Sequence, residues 1–358
     1  MLVSAGRYDQ ALSRHDEALA IRRNANDRKA VAESLTNIGY AHYQSGDYDQ
    51  AIRRFDEALK IYEGLGDKRI LATGLNNLAA VYGRLGRYDR ALQCHERSLQ
   101  LRRALNIPAD TALTLNNIGQ MHHELGNYDK AIGLFTESLQ LKRLNGLPAE
   151  SIANTLNNIG AVYDATGQPD RALQFYNDAL TINRRLDLAR ALGNNLSNIG
   201  AAYLNLKRYR EAERAFIEAE QQLNRGDRKV RGNPGLVELY LKTGRHERAL
   251  ELLKRMAPDW ATDTATRMQF HTQLGAALKG LGRLPEATGE LLQAVALVEN
   301  TRRTVAERGG YFAGGYAGGR IQPYRLLLSV LCERTLKGDL DDKRLGHLGR
   351  NTTESAFR

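Results

Sequence analysis

Residues 35–55 read LTNIGYAHYQSGDYDQAIRRF, and residues 115–135 read LNNIGQMHHELGNYDKAIGLF. The same frame returns at 156–176 as LNNIGAVYDATGQPDRALQFY. The common pattern is L-x-N-[IL]-[GA]-x-x-[YH], three residues, a glycine, then x-Y-D-x-A-[IL]-x-x-[FHY]. The turn glycines are Gly6, Gly46, Gly86, Gly126, Gly167, Gly244 and Gly282, with Lys207 standing where one is expected. A fixed period near 40 residues is the mark of a repeat array, not of two or three globular domains.

Within each unit the apolar residues step by three and four, which places them on one helix face. Leu35, Ile38, Gly39 and His42 do so before the turn, and Ala51, Ile52, Phe55, Ala58 and Leu59 after it. The unit is therefore helix–turn–helix. The glycine between its helices suits a left-handed C-terminal cap. The small residues at the Gly39, Ala51 and Ala58 positions admit a close neighbouring helix. Tyr48, Tyr88, Tyr128 and Tyr209 follow the turn and are expected to plug the joint between helices.

This pattern resembles the tetratricopeptide repeat. Its signature is present as Leu35-x2-Ile38-Gly39-x2-His42 followed by Ala51-x3-Phe55. The longer period and the L-N-N-[IL]-[GA] run resemble the repeats of kinesin light chains and spindle-orientation adaptors. The resemblance covers residues 1 to about 300. It implies an all-α, right-handed superhelical solenoid of about seven to eight repeats, followed by C-terminal helices. The segment 224–235 is rich in breakers and is expected to be irregular. Residues 301–358 are expected to be a Gly-rich connector with a C-terminal helix and tail. The first unit lacks most of its first helix, and that uncapped end is an expected place for self-association.

Composition narrows the function. The chain has 358 residues, 42% of them apolar, and a net charge of +10. Residues 301–358 hold 11 Lys/Arg against 6 Asp/Glu, so half of the excess lies in the last sixth of the chain. The bulk is nearly balanced, which argues against a nucleic-acid-binding groove. No apolar run reaches the roughly 20 residues of a membrane span. The start carries no secretory pattern, and the two cysteines, Cys94 and Cys332, make no disulfide framework. A cytoplasmic location is the expectation.

No catalytic or metal constellation assembles. His122-His123-Glu124 lacks the second histidine that zinc chemistry needs. The Gly-rich stretch 309–319 lacks the Gly-Lys-Ser/Thr ending of a phosphate loop. Asp339 to Asp342 has no calcium-loop frame. Cys94 and His95 are neighbours on one helix and diverge. No enzyme activity, metal or cofactor is expected.

What recurs is an amide. Asn37, Asn77, Asn117, Asn158 and Asn198 each stand two positions before the small Gly or Ala, reinforced by Asn76, Asn116 and Asn157. Asparagine is a poor helix-interior residue, so its return once per repeat needs a cause. An amide both donates and accepts. The ladder either grips the backbone of an extended peptide or ties one repeat to the next. In kinesin-light-chain-like repeats this position lines the concave face, and the resemblance implies that role here. Tyr40, Arg84 and His123 fall on the same face. Only Arg84 offers a cation, which excludes a clamp for a terminal carboxylate. The implied partner is a protein or peptide.

A second recurrence is basic. Arg22-Arg23, Arg102-Arg103, Lys142-Arg143 and Arg184-Arg185 close successive second helices, where cations complement the helix dipole. A basic ridge for an acidic partner is the other reading. The end of the chain also resembles the junction at which bacterial repeat proteins pass into a caspase-like CHAT domain. Glu299, Arg302, Tyr311, Phe312, Tyr324, Leu327, Leu328 and Glu354 to Phe357 carry that likeness. It implies a regulatory arm of a protease system.

Overall fold

The computed structural model describes residues 8–225, 231–260, 264–307 and 317–337. Among them are sixteen helices and no strand. The helix starts follow from local chemistry. The Asp27, Asp47 and Asp67 carboxylates accept from the backbone N–H of Ala30, Gln50 and Ile70 at 3.0, 3.2 and 3.1 Å. Each bond satisfies one of the donors that a helix N-terminus leaves open. Pro108, Pro169 and Pro234 open three other helices, where the missing N–H costs nothing.

The chain divides into two compact units, residues 1–162 and 163–358. The first unit holds α1 (Tyr8–Asn24), α2 (Arg28–Ser45), α3 (Tyr48–Leu65), α4 (Lys68–Arg84), α5 (Tyr88–Ala104), α6 (Pro108–Glu124) and α7 (Tyr128–Leu144). It also takes α8 (Ala149–Ala165) as far as Val162. Here α2 packs on α3, α4 on α5 and α6 on α7, and each hairpin leans on the next. The helix α1 is a second helix with no first helix beside it among the described residues. Its Ile21 is exposed, while the register mates Ile61, Leu101 and Leu141 are half-buried.

The second unit holds α9 (Pro169–Arg185), α10 (Ala189–Asn205), α11 (Tyr209–Leu223), α12 (Pro234–Lys242), α13 (His246–Trp260), α14 (Thr264–Gly280), α15 (Leu284–Glu307) and α16 (Ala317–Leu336). The hairpins are α10 with α11, α12 with α13 and α14 with α15, and α16 lies on α15 and α14. Tyr324, Leu327, Val330 and Leu331 of α16 join the core of the last hairpins. The connector expected at 309–319 is helical from Ala317 onward, and the rest of it lies outside the described residues. Gly6, Asp339 to Asp342 and residues 226–230 of the breaker-rich segment 224–235 also lie outside them.

The turns bear out the glycine register. Gly46, Gly86, Gly126, Gly167, Gly244 and Gly282 all have φ between +69° and +86°. One residue further on, the N–H of Asp47, Arg87, Asn127 and Gln168 reaches back to the carbonyls of His42, Tyr82, His122 and Tyr163 at 2.8–2.9 Å. That is the bonding of a Schellman cap. Lys207 takes the same conformation, with φ +59°, although it has a side chain. Lys207→Gly should therefore raise stability by roughly 0.5–1 kcal/mol, seen as a higher melting temperature. A lower one would mean that the lysine side chain compensates for the strain. A second left-handed series, Asn26, Gly66, Asn106, Gly146 and Asp187, caps the second helices and was not visible as a glycine pattern.

The seam inside each hairpin is a ring pressed on a glycine. A Cβ added at Gly39 would lie 3.0 Å from the Phe55 ring, and one at Gly119 would lie 2.8 Å from Phe135. Burying each such ring contributes roughly 2–3 kcal/mol. Tyr48 and Tyr128 follow the turn and pack on Tyr43 and His123, with ring centroids 6.0 and 5.9 Å apart. Tyr209 departs from that role and is exposed.

Candidate functional site

In the first unit the first helices α2, α4, α6 and α8 present the asparagines in line. Asn37 is exposed; Asn76, Asn77, Asn116, Asn117, Asn157 and Asn158 are half-buried. The amides are partly consumed in tying repeats. Asn117 Nδ2 donates to Asn76 Oδ1 at 3.1 Å, and Asn158 Nδ2 donates to Asn116 Oδ1 at 3.2 Å. Each amide offers two donors and two acceptor lone pairs. Asn37 and Asn77 make no side-chain hydrogen bond among the described residues. Asn198, in the second unit, is half-buried on α10.

The remaining predicted residues divide. Tyr40 is 49% exposed on the asparagine face, and its ring lies 6.4 Å from that of Tyr43. Arg84 Nε donates to the Tyr43 hydroxyl at 3.2 Å, a link from α4 back to α2. That bond raises the Arg84 pKa further above its ordinary value. His123 is half-buried against Tyr128 of the following helix. One groove residue escaped the sequence reading. Leu113 is exposed four positions before Asn117, where Glu33, Thr73 and Asn154 precede the other rungs. Its apolar character, read at that register, was the available signal.

The basic pairs are not a free ridge. In three of the four pairs the first member turns inward to the next first helix; in α9 that register position is Asn183, and Arg184 follows it. Arg22 donates to Ala30 O and Ser34 Oγ at 3.0 and 2.8 Å. Arg102 donates to Asp110 O and Thr114 Oγ1 at 2.9 and 2.6 Å. Lys142 donates to Ser151 O and Thr155 Oγ1 at 2.9 and 2.7 Å. Burial pulls the Lys142 ammonium down to about 8 and lowers Arg102 as well. Thr155 in turn donates to Asn116 at 3.2 Å, so the Lys142 contact continues into the amide ladder. The next position along joins second helices to each other. Arg23 faces Glu57, Arg97 faces Glu63, Arg103 faces Glu137 and, in the second unit, Arg184 faces Glu218. The ridge for an acidic partner is thus replaced by a set of inter-repeat ties.

Cys94 is half-buried and burial pushes its thiol up, away from a reactive thiolate. No trio of His, Cys, Asp and Glu able to hold a metal occurs among the described residues. None of their helices is long and apolar enough to cross a membrane. Of the junction-like residues, Glu299 accepts from the Tyr324 hydroxyl and Leu327 is buried. Tyr311, Phe312 and 354–357 lie outside the described residues.

The tetratricopeptide-repeat family model matches residues 1–64, 70–144, 110–185 and 151–225. This chain belongs to the tetratricopeptide-repeat family. A PPR-repeat model matches residues 235–257, within α12 and α13. No curated protein matches the chain. Among solved structures, BtubC (BKLC) from P. vanneervenii is similar at 23% identity, over 61% of this chain and 91% of that one, with a TM-score of 0.55. The apo quorum sensor NprR from B. thuringiensis is similar at 16% identity, over 82% of this chain and 85% of that one, with a TM-score of 0.61. Aspartyl phosphate phosphatase F from Bacillus subtilis is similar at 13% identity, over 78% of this chain and 73% of that one, with a TM-score of 0.60. These likenesses are to the tetratricopeptide-repeat fold.

Proposed function

We propose that this chain is a protein-interaction module with no catalysis of its own. The asparagine face of its first unit holds an extended peptide or partner segment. The observation that carries this reading is the ladder of unspent amide capacity. Asn117 and Asn158 each use one donor to reach the preceding repeat. Asn37 and Asn77 use none among the described residues. Amides in line can bond a peptide backbone without reading its side chains, and Tyr40, Leu113 and Arg84 then supply selectivity.

On this reading binding and folding fall to different rungs. Asn117→Ala and Asn158→Ala each remove an inter-repeat bond and should cost about 1 kcal/mol of stability. Asn37→Ala/Asn77→Ala should leave the melting temperature unchanged. A random peptide library selected on the wild-type chain supplies the ligand, and fluorescence anisotropy measures its affinity. The Asn37→Ala/Asn77→Ala variant should bind about tenfold more weakly, the equivalent of about 1.4 kcal/mol. Unchanged affinity with unchanged melting would remove the ladder from the binding surface.

A further inference from the structure

In the second unit the asparagine register changes twice, to Gln273 before Gly282 and to glycine in α12. Each rung asparagine stands nine residues before its turn: Asn158 before Gly167, Asn198 before Lys207. Nine before Gly244 stands Gly235, so α12 has no rung. The reason lies underneath. The Phe216 ring of α11 is pushed between α10 and α12, and a Cβ on Gly235 would lie 2.2 Å from it. Beside the ring, α10 and α12 enclose a cavity of about 280 Å³.

The walls of this cavity sort by chemistry. The floor and sides are apolar: Phe216, Ala201, Leu204 and Pro234. Two of its polar groups are spent on each other. Asn233 Nδ2 donates to Ser197 Oγ at 3.0 Å, and Asn233 Oδ1 accepts from Gly235 N at 2.8 Å. Ser197 gives its own proton to Gly193 O at 2.9 Å. The rim carries Asn205 and Glu238. Asn205 gives an N–H to Asp164 at 3.0 Å, and its carbonyl oxygen accepts no hydrogen bond among the described residues. The Glu238 carboxylate meets the Lys242 ammonium at 2.9 Å across one exposed helical turn.

An apolar shaft with acceptors at its mouth fits a group with an aliphatic stem and a cationic, donor-rich head. We infer that the cavity between α10 and α12 binds the basic side chain, arginine or lysine, of a partner polypeptide. The stem lies over Phe216 and the head reaches Glu238 and the Asn205 carbonyl, displacing Lys242. An acidic or anionic group would face Glu238 with no cation in the lining to receive it. This inference stands on the cavity alone and does not depend on the asparagine face of the first unit.

The probe is N-acetyl-L-arginine amide, titrated into the full chain and followed by the NMR signals of the Ala201 and Leu204 methyls and the Asn205 side-chain amide. A side-chain-sized ligand of this kind should bind in the millimolar range. N-acetyl-L-norleucine amide, which has the stem without the charge, should bind at least tenfold more weakly. Glu238→Gln should weaken the arginine probe about tenfold, and Lys242→Met, which removes the competing cation, should tighten it severalfold. Ala201→Leu, which fills the shaft while keeping a good helix former, should abolish the shifts with helicity retained. Equal binding of the norleucine probe would overturn the charge assignment. Absence of any shift at saturating probe, or arginine binding unaffected by Ala201→Leu, would overturn the site.

Discussion

At about pH 5 the Ala79→Gly/His95→Phe double variant should unfold at a higher urea concentration than the wild-type chain, by about 2 kcal/mol. His95 occupies the register of Phe55, Phe135, Tyr176 and Phe216, the ring that closes each hairpin seam. It is only 3% exposed, and its buried Nδ1 has no hydrogen-bond partner among the described residues. Burial, with help from the Arg102 charge, lowers its pKa from 6.5 to about 4. The folded pKa is depressed, so between those values the unfolded chain binds the proton more strongly. The neutral ring's contribution is fully present above about 6.5 and is lost as the pH falls toward 4. Replacing the imidazole by a ring that cannot charge removes that loss.

The single variant is expected to behave differently. Opposite Phe55, Phe135 and Phe216 the first helix carries Gly39, Gly119 and Gly200, and a Cβ there would lie 2.6–3.0 Å from the ring. Opposite His95 it carries Ala79. The smaller ring therefore goes with the larger partner. His95→Phe alone should overpack the α4–α5 seam and cost roughly 1–3 kcal/mol at neutral pH. Ala79→Gly alone should cost about 1 kcal/mol through helix propensity and lost packing. The two should couple favourably in a double-mutant cycle. If the double variant keeps the wild-type acid dependence, another group is responsible for it. If the coupling is zero, the two side chains do not share the seam.

The same position shows how far the sequence could be read. The repeat, the hairpins and the left-handed turn at Lys207 follow from spacing alone, because period and chirality are properties of the backbone. His95 also satisfies the A-x3-F frame through Ala91, but its pairing with Ala79 is a volume relation across two helices, and spacing carries no volume. The asparagines were visible as a register. That Asn117 bonds backward to Asn76, rather than sideways or to solvent, depends on how consecutive first helices stack. The basic pairs do stand in the last turns of their helices, and their division into inward and outward members is hidden in the sequence for a related reason. Both members close a helix, so both suit the dipole, and one-dimensional periodicity cannot say which of two adjacent residues points inward. The unoccupied rung at Gly235 was hidden because the breaker-rich stretch before it masks the register.

The inward and outward members of those pairs should differ sharply when truncated. Arg102 is buried, bonded to Asp110 O and Thr114 Oγ1, and joins the end of α5 to the start of α6. Arg102→Ala removes two charge-assisted hydrogen bonds and a packed aliphatic stem, and should cost about 3 kcal/mol. Arg103 meets Glu137 with both side chains about half exposed. Arg103→Ala should therefore change stability by no more than about 0.5 kcal/mol. Arg102→Lys should recover much of the loss. At the next seam Lys142 makes the same pair of contacts, to a backbone carbonyl and a threonine hydroxyl, from the same register. Urea unfolding of the three variants separates the explanations. If the cations acted through the helix dipole alone, both alanine variants would lose a similar few tenths of a kcal/mol, and lysine would restore Arg102 in full. If they acted as an inter-repeat tie, only position 102 is sensitive, and lysine recovers most of the loss, because a single Arg102 nitrogen, Nη1, makes both bonds and the Lys142 ammonium makes the same pair at the next seam.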